Sequence, residues 1–357
     1  MNTKVLFIVP YPFDKAPSQR LKFEQYYSAF KNSGLSIAYE PFINEDFWAI
    51  VYKKGYYFSK LYYTVQAWIK RYMLLATIRK YDVVYLHLWG TPFGFPVYEW
   101  LLRKYSKKLV YDIDDLIYKA ASSPNNWYLS ILKSSLKVDF LMKHADHVLV
   151  STDKLFDYSR KINNQVTLIP ATIDVEKYII PDKKSDVVNI GWSGSHTTSK
   201  YVHLLDNVLK KVVAAHNVKI MIMGDDTFSI DGVDVQLLKW TPESEIPNMN
   251  LFDIGIHPLP DEEWVYGKSG GKLVQYMAAG IPIIASAIGP NLKVIENGYN
   301  GFLVGTEDEW IKKLELLITN EVLRKQMGIN SRKHAETFFS VEANLKHYLD
   351  TFNSLIK

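Results

Sequence analysis

At 357 residues, with 48% apolar and 22% charged side chains, the chain has the composition of a well-packed globular protein and, at ~150 residues per domain, the length of two domains. It contains no cysteine, which excludes a disulfide framework and fits a reducing compartment. The formal charge of +4 is too mild to argue for nucleic acid, and no stretch approaches the ~20 apolar residues that span a bilayer. The expectation is a cytoplasmic protein.

The chain opens on "KVLFIVP", an apolar run read as a strand, followed by a polar loop and a helical pattern over residues 19–31 that carries Arg20. Between Phe47 and Tyr81 there is no acid, while Lys53, Lys54, Lys60, Lys70, Arg71, Arg79 and Lys80 are interleaved with eleven aromatic residues. Leu61, Val65, Trp68, Tyr72, Leu75 and Ile78 recur there at helical spacing and mark one helix face. That face either packs on the protein's own core or, with the lysines, lies on an anionic lipid surface.

"DVVYLHL", "KLVYDID", "HVLVS" and "VTLIP" follow as apolar runs alternating with helical stretches, the pattern of strands buried in a parallel sheet. The segment "IIPDKKSDV" breaks the pattern and reads as a linker. A second α/β series then starts at "VNIGWSG" and continues through "KIMIMG", "FDIGIHP" and "NGFLV". The expected domains are residues 1–178, a linker at 179–186, residues 187–337, and a terminal helical stretch at 338–357. That last stretch either closes the second domain or crosses back to the first.

Two strand-to-helix turns in the second half bear glycine. "GKSGGKLVQYMAAGIPIIAS" places Gly267, Gly270 and Gly271 with Lys268 and Lys272 ahead of an apolar helix. Backbone N–H groups freed of Cβ atoms, a helix N-terminus and two cations together suit a diphosphate. The stretch is not a Walker A loop, because Tyr266 replaces its first glycine and Leu273 its Ser or Thr. "GWSGSHTTSK" supplies the other turn, with Gly194, Ser195, His196 and Lys200. One anionic ligand between two such turns is the economical reading.

Asp112 and Asp114 spell Asp-x-Asp, and strand alternation puts both on one face, a geometry open to a divalent metal. The pair lies away from the phosphate turns, however, and His87, His144, His147, His216 and His257 lack a tight ligand spacing. No metal is expected.

The stretch "LVQYMAAGIPIIASAIGPNLKVIENGYNGFLV" resembles the C-terminal signature of family 4 glycosyltransferases, and "YPFDKAPSQRLKFEQYYSAFKNSG", "VYDIDDLIY", "IGWSGS" and "DIGIHPLPDEEW" extend the likeness over nearly the whole chain. The resemblance implies an α/β GT-B fold: two Rossmann-like domains with parallel sheets facing a central cleft. It also implies a retaining, metal-independent transfer of sugar from a nucleotide diphosphate donor to a hydroxyl. The donor diphosphate would lie against Gly194, Ser195, His196, Lys200, Lys268, Lys272 and the glycines of the later turn, with Lys268 and Lys200 as the catalytic clamp on the leaving group. The family's Glu-x7-Glu pair falls on Gly267 and Gln275. Gln275 can still bond a ribose diol, and a sugar-facing carboxylate would come from Asp261, Glu262 or Glu263.

Where many members carry His-Asp, this chain has Asp114 and Asp115, which either serve as acceptor base or cap the next helix; His87 joins Asp114 on the acceptor side, as does Arg20 unless its phosphate is the donor's. The implied acceptor is a glycan or a lipid-linked glycan at the inner face of the cell membrane, with residues 47–81 on the lipid. A sugar-nucleotide epimerase of the same fold and a silent sugar-nucleotide binder are the alternatives.

Overall fold

The computed structural model describes residues 3–114, 135–181 and 187–356. Asp115 and residues 182–186 of the expected linker lie outside them. The chain divides into two compact units, Met1–Pro170 with Asn344–Lys357, and Ala171–Ala343.

In the first unit the strands are β1 (Thr3–Val9), β2 (Leu35–Pro41), β3 (Val83–His87), β4 (Leu109–Ile113), β5 (His147–Val150) and β6 (Val166–Leu168). They form one parallel sheet in the order β2-β1-β3-β4-β5-β6. Its helices are α1 (Pro17–Arg20), α2 (Tyr27–Asn32), α3 (Glu45–Val51), α4 (Tyr57–Leu74), α5 (Val97–Tyr105), α6 (Ser135–His144) and α7 (Asp153–Arg160). Leu6, Ile8, Val84, Leu86, Tyr111 and Ile113 pack on one side with Leu102, Leu141 and Leu155 from the helices. Phe7 and Tyr85 face the other side, where they meet Phe23 at 5.4 and 5.3 Å between ring centroids. Both faces are covered, which is why these strands read as unbroken apolar runs.

The second unit has β7 (Val188–Ser193), β8 (Val218–Met223), β9 (Val235–Leu238), β10 (Ile254–His257), β11 (Ile283–Ser286) and β12 (Gly301–Val304). They form a parallel sheet in the order β12-β11-β10-β7-β8-β9. Counted from β7, this is the doubly wound 3-2-1-4-5-6 arrangement, whose ligands bind where the strand order reverses, here between β7 and β10. The helices are α8 (His196–Ser199), α9 (Asp206–Ala215), α10 (Glu245–Met249), α11 (Gly271–Ala278), α12 (Asn291–Val294), α13 (Glu307–Thr319) and α14 (Glu321–His334). A last helix, α15 (Val341–Ile356), belongs from Asn344 on to the first unit. There Tyr348 packs 4.8 Å from Tyr26, and Phe352 packs 5.8 Å from Phe30.

Two local expectations need correction. The helical pattern over residues 19–31 is interrupted between Arg20 and Glu24, and the polar Gln19 and Lys22 beside the break are buried. The face expected for α4 is rotated. Leu61 and Val65 are 62% and 49% exposed, while Tyr63, Ala67 and Trp68 pack on Phe42, Ile43 and Phe47. Arg71, one of the cations of the lipid alternative, is buried. Its guanidinium donates to the carbonyls of Val9 (2.7 Å), Glu40 (2.8 Å) and Gly90 (3.1 Å). Strand ends leave carbonyls that need donors, and a fork of N–H groups supplies several at once.

Candidate functional site

The two glycine turns stand at the C-terminal ends of β7 and β10, the point of strand reversal. Tyr276 of α11 reaches from one to the other: its hydroxyl accepts the N–H of Ser193 at 2.7 Å. Lys272, one residue into the same helix, donates to the Thr198 hydroxyl at 3.2 Å and lies 4.6 Å from the ring centroid of Trp192. A Cβ added at Gly194 would fall 2.2 Å from the Trp192 ring and 2.5 Å from the Lys272 ammonium. Only glycine fits there. Gly224 has φ +98, and a Cβ on it would come within 1.9 Å of the Gly194 carbonyl oxygen; the Gly194 N–H donates to Met223 O at 3.0 Å.

Lys272 is half-buried, and among the described residues no acid stabilises its charge. Burial, and then the neighbouring Lys268, push its pKa down to about 8. His257, buried beneath, is pushed down to about 3 by burial first and Lys272 second, so it is neutral, and its Nδ1 lies 3.0 Å from Asn291 Oδ1. Gly270 opens α11 at φ 74, where a side chain would be strained. Gln275 is only 5% exposed, and among the described residues its Nε2 has no hydrogen-bond partner, an orphan donor in a place where such groups are costly.

The remaining expected donor residues lie around this centre. Gly267 is buried, Gly271 half-buried, and Lys268 exposed. Lys200 is exposed, with its ammonium 5.0 Å from the Tyr201 ring, and Tyr201 in turn lies 5.4 Å from Trp264 in the other turn. Trp264 Nε1 donates to Glu262, and the Tyr266 hydroxyl donates to Asp261 at 2.8 Å; Asp261, Glu262 and Glu263 are all exposed. The cation lodged against Gly194 is therefore Lys272, which the family resemblance placed among the donor contacts, with Lys268 and Lys200 as the clamp.

His196 is exposed beside Ser195, whose N–H donates to the Thr198 hydroxyl at 3.2 Å. Its Nδ1 is 3.0 Å from Asp225 Oδ1. Asp225 also accepts from the Ser199 hydroxyl (2.5 Å), the Thr227 N–H (3.0 Å) and the Thr227 hydroxyl (2.8 Å). That donor set, the Ser199 hydroxyl foremost, holds the carboxyl well below the usual range. The Asp225 hydrogen bond in turn raises the pKa of His196. Sequence reading missed Asp225, which lies 29 residues away. In Asp225→Asn the His196 ring should titrate at lower pH than in the wild type, a shift read directly by NMR of its ring protons; an unmoved titration would contradict the pairing.

In the first unit Asp112 is fully buried between Lys22 (2.5 Å) and His87 Nδ1 (2.6 Å). Lys22 also donates to Ser151 Oγ (2.9 Å) and to Ile113 O (3.3 Å). His87, expected to touch an acceptor, has no exposed surface; it braces Asp112 instead. Asp114 and Arg20 are half-buried at strand and helix ends, and Asp115 lies outside the described residues. Among the described residues no cluster of three His, Asp or Glu side chains could hold a metal, and no helix is long and apolar enough to cross a membrane.

Residues 187–320 match the model of a family described as Glycosyl transferases group 1. This segment carries the sequence pattern of the group 1 glycosyltransferases. The capsular polysaccharide biosynthesis glycosyltransferase CapM of Staphylococcus aureus is 28% identical to the chain over 184 residues, 47% of this chain and 46% of CapM. The chain spans about half the length of the first curated relatives it matches. Among solved structures, sucrose-phosphate synthase from Thermosynechococcus elongatus superposes with a TM-score of 0.71 at 15% identity, covering 99% of each chain. HepE of Anabaena, crystallised with UDP and glucose, superposes with a TM-score of 0.67 at 15% identity, covering 99% of this chain and 100% of HepE. At that identity the likeness carries the fold, and the fold around the segment is GT-B.

Proposed function

We propose that the chain transfers a hexose from a nucleotide diphosphate sugar to an acceptor hydroxyl, with retention of anomeric configuration and without a metal. The observation that carries this reading is the Lys272 ammonium. It is half-buried, lodged against Gly194 across two turns at the strand reversal, and has no acid among the described residues to stabilise it. A cation held in that state beside a second lysine is completed by an anion, and a diphosphate matches both the charge and the two backbone turns. UDP in the HepE crystals supports a nucleotide donor.

In the proposed reaction the bond from the anomeric carbon to the phosphate oxygen breaks, and the acceptor oxygen bonds to that carbon on the same face. Lys272, Lys268 and Lys200 stabilise charge as it grows on the leaving diphosphate, and His196, held through Nδ1 by Asp225, offers its other ring nitrogen as a further donor. Gln275 offers its unpaired amide to the ribose diol, and Glu262 or a neighbouring acid meets the sugar. Asp114, with Asp115, takes the acceptor proton. The relation to CapM supports a polysaccharide or lipid-linked glycan as acceptor. The outward face of residues 47–81 is proposed to lie on an anionic membrane surface inside the cell.

Incubation with labelled UDP-, GDP- and ADP-sugars tests the reading: transfer or slow donor hydrolysis supports it, whereas isomerised donor would make the protein an epimerase. Lys268→Ala should lose sugar transfer and keep its unfolding midpoint. Full activity in that variant would remove Lys268 from the clamp.

A further inference from the structure

On the first unit α4 turns a continuous apolar face outward. Phe58 is 91% exposed, Tyr57 75%, Met73 68%, Tyr62 63% and Ile69 56%, far from the scattered single exposures of an ordinary surface. Lys53, Lys54, Lys70, Arg79 and Lys80 are exposed around it, and no acid occurs from Phe47 to Tyr81. Under the helix, toward the end of β2, lies a half-open cavity of about 490 Å³, within the ~300–1,000 Å³ of small-molecule sites. Phe42, Phe47, Tyr63, Ala67 and Leu74 line it together with the polar Asn44, Gln66 and Thr77, and the exposed Ile69, Lys70 and Met73 border it. Its one acid, Glu40, is neutralised by Lys70 at 2.8 Å.

The chemistry of this surface selects its occupant. Phe42, Phe47, Ala67 and Leu74 give an unbranched hydrocarbon chain an apolar path that opens onto an apolar helix face, with the polar groups of Asn44, Gln66 and Thr77 beside it. With Lys70 held by Glu40, the cations around the face, Lys53, Lys54, Arg79 and Lys80, meet a negative headgroup, and tyrosines and phenylalanine settle at the headgroup level. A protein partner would need acidic residues to answer the lysines, but nothing about it would call for a groove beneath the helix.

We propose that this groove takes one acyl chain of an anionic phospholipid, drawn from a bilayer on which the outer face of α4 lies. The inference rests on the membrane reading given above and adds a specific chain-binding site to it. Two measurements on the full chain separate the two ideas. Sedimentation with vesicles of phosphatidylcholine, with and without phosphatidylglycerol, tests the surface. Titration with dihexanoylphosphatidylglycerol below its micelle concentration, followed calorimetrically, tests the groove.

The expected result is pelleting only with phosphatidylglycerol, lost in Phe58→Glu, and saturable binding of the short-chain lipid. Ala67→Phe, which fills the groove, should weaken that binding about tenfold, or ~1.4 kcal/mol, and still pellet with vesicles. Met73→Asp, at an exposed position where folding is safe, should weaken it likewise, and a cooperative urea transition with the wild-type midpoint certifies that both variants are folded. Vesicle pelleting with no saturable lipid binding, or with binding indifferent to both substitutions, overturns the groove and leaves the membrane surface standing. No pelleting with anionic vesicles overturns both.

Discussion

Lys272→Met should weaken UDP binding by about 10- to 100-fold, the scale of one charge-assisted hydrogen bond, ~1.5–3 kcal/mol. Methionine keeps the contact with Trp192 and removes only the charge, so the fold should survive. The pH dependence gives a second signature. In the empty protein Lys272 is pushed down to about 8 from the ordinary lysine value of 10.5. UDP affinity should therefore fall as pH rises past 8, and binding near that pH should take up a proton, visible in calorimetry as a heat that depends on the buffer. Stability has the opposite sign. Between about 8 and 10.5 the unfolded chain holds more protons at this lysine than the folded one, so its contribution makes the empty protein more stable as pH rises through that window. Lys272→Met should flatten both trends. Wild-type UDP affinity in this variant would show that the cation against Gly194 does not hold the donor.

The sheets were legible because their strands are covered on both faces. β1, β3, β4, β5, β7 and β10 appear as apolar runs, and the exceptions have a physical cause. β2, "LSIAYEP", and β9, "VQLL", are edge strands of half-exposed residues, so neither carries the continuous apolar signal. The glycine turns were legible for the same reason that they matter: a backbone that must approach another group tolerates no Cβ, and sequence records that as glycine. Which lysine enters the site was not legible. Lys268, Lys272 and Lys200 are equivalent as charges along a chain; only the packing of α11 against β7 puts Lys272 at Gly194. Arg71 misled for a related reason. Its neighbours are lysines on the outer surface, and the three carbonyls that it satisfies come from strand ends distant in sequence. Asp225 shared the same invisibility.

The buried centre of the first unit carries the largest stability effect. Lys22→Met should destabilise the protein by ~3–5 kcal/mol, because it strands the Asp112 charge where the side chain has no exposed surface. Asp112 is fully buried and Lys22 is 4% exposed; two charges in such surroundings survive only as a pair with further hydrogen bonds, here from His87 to Asp112 and from Lys22 to Ser151 and Ile113. Burial alone would raise the Asp112 pKa; Lys22 and the His87 hydrogen bond more than offset it and hold the carboxyl below its ordinary 3.8. The stabilisation is therefore present above that value and is lost as pH falls through the lower folded one. Lys22→Met should show a lower urea midpoint at neutral pH and lose less of its remaining stability than the wild type on acidification. Combining it with Asp112→Leu should recover part of the loss, since two apolar side chains need no partner. Such recovery would mark the aspartate that opens Asp-x-Asp as a brace for the sheet end, tied to the lysine in the helix break between Arg20 and Glu24. A Lys22→Met midpoint equal to that of the wild type would instead mean that Asp112 finds its stabilisation elsewhere.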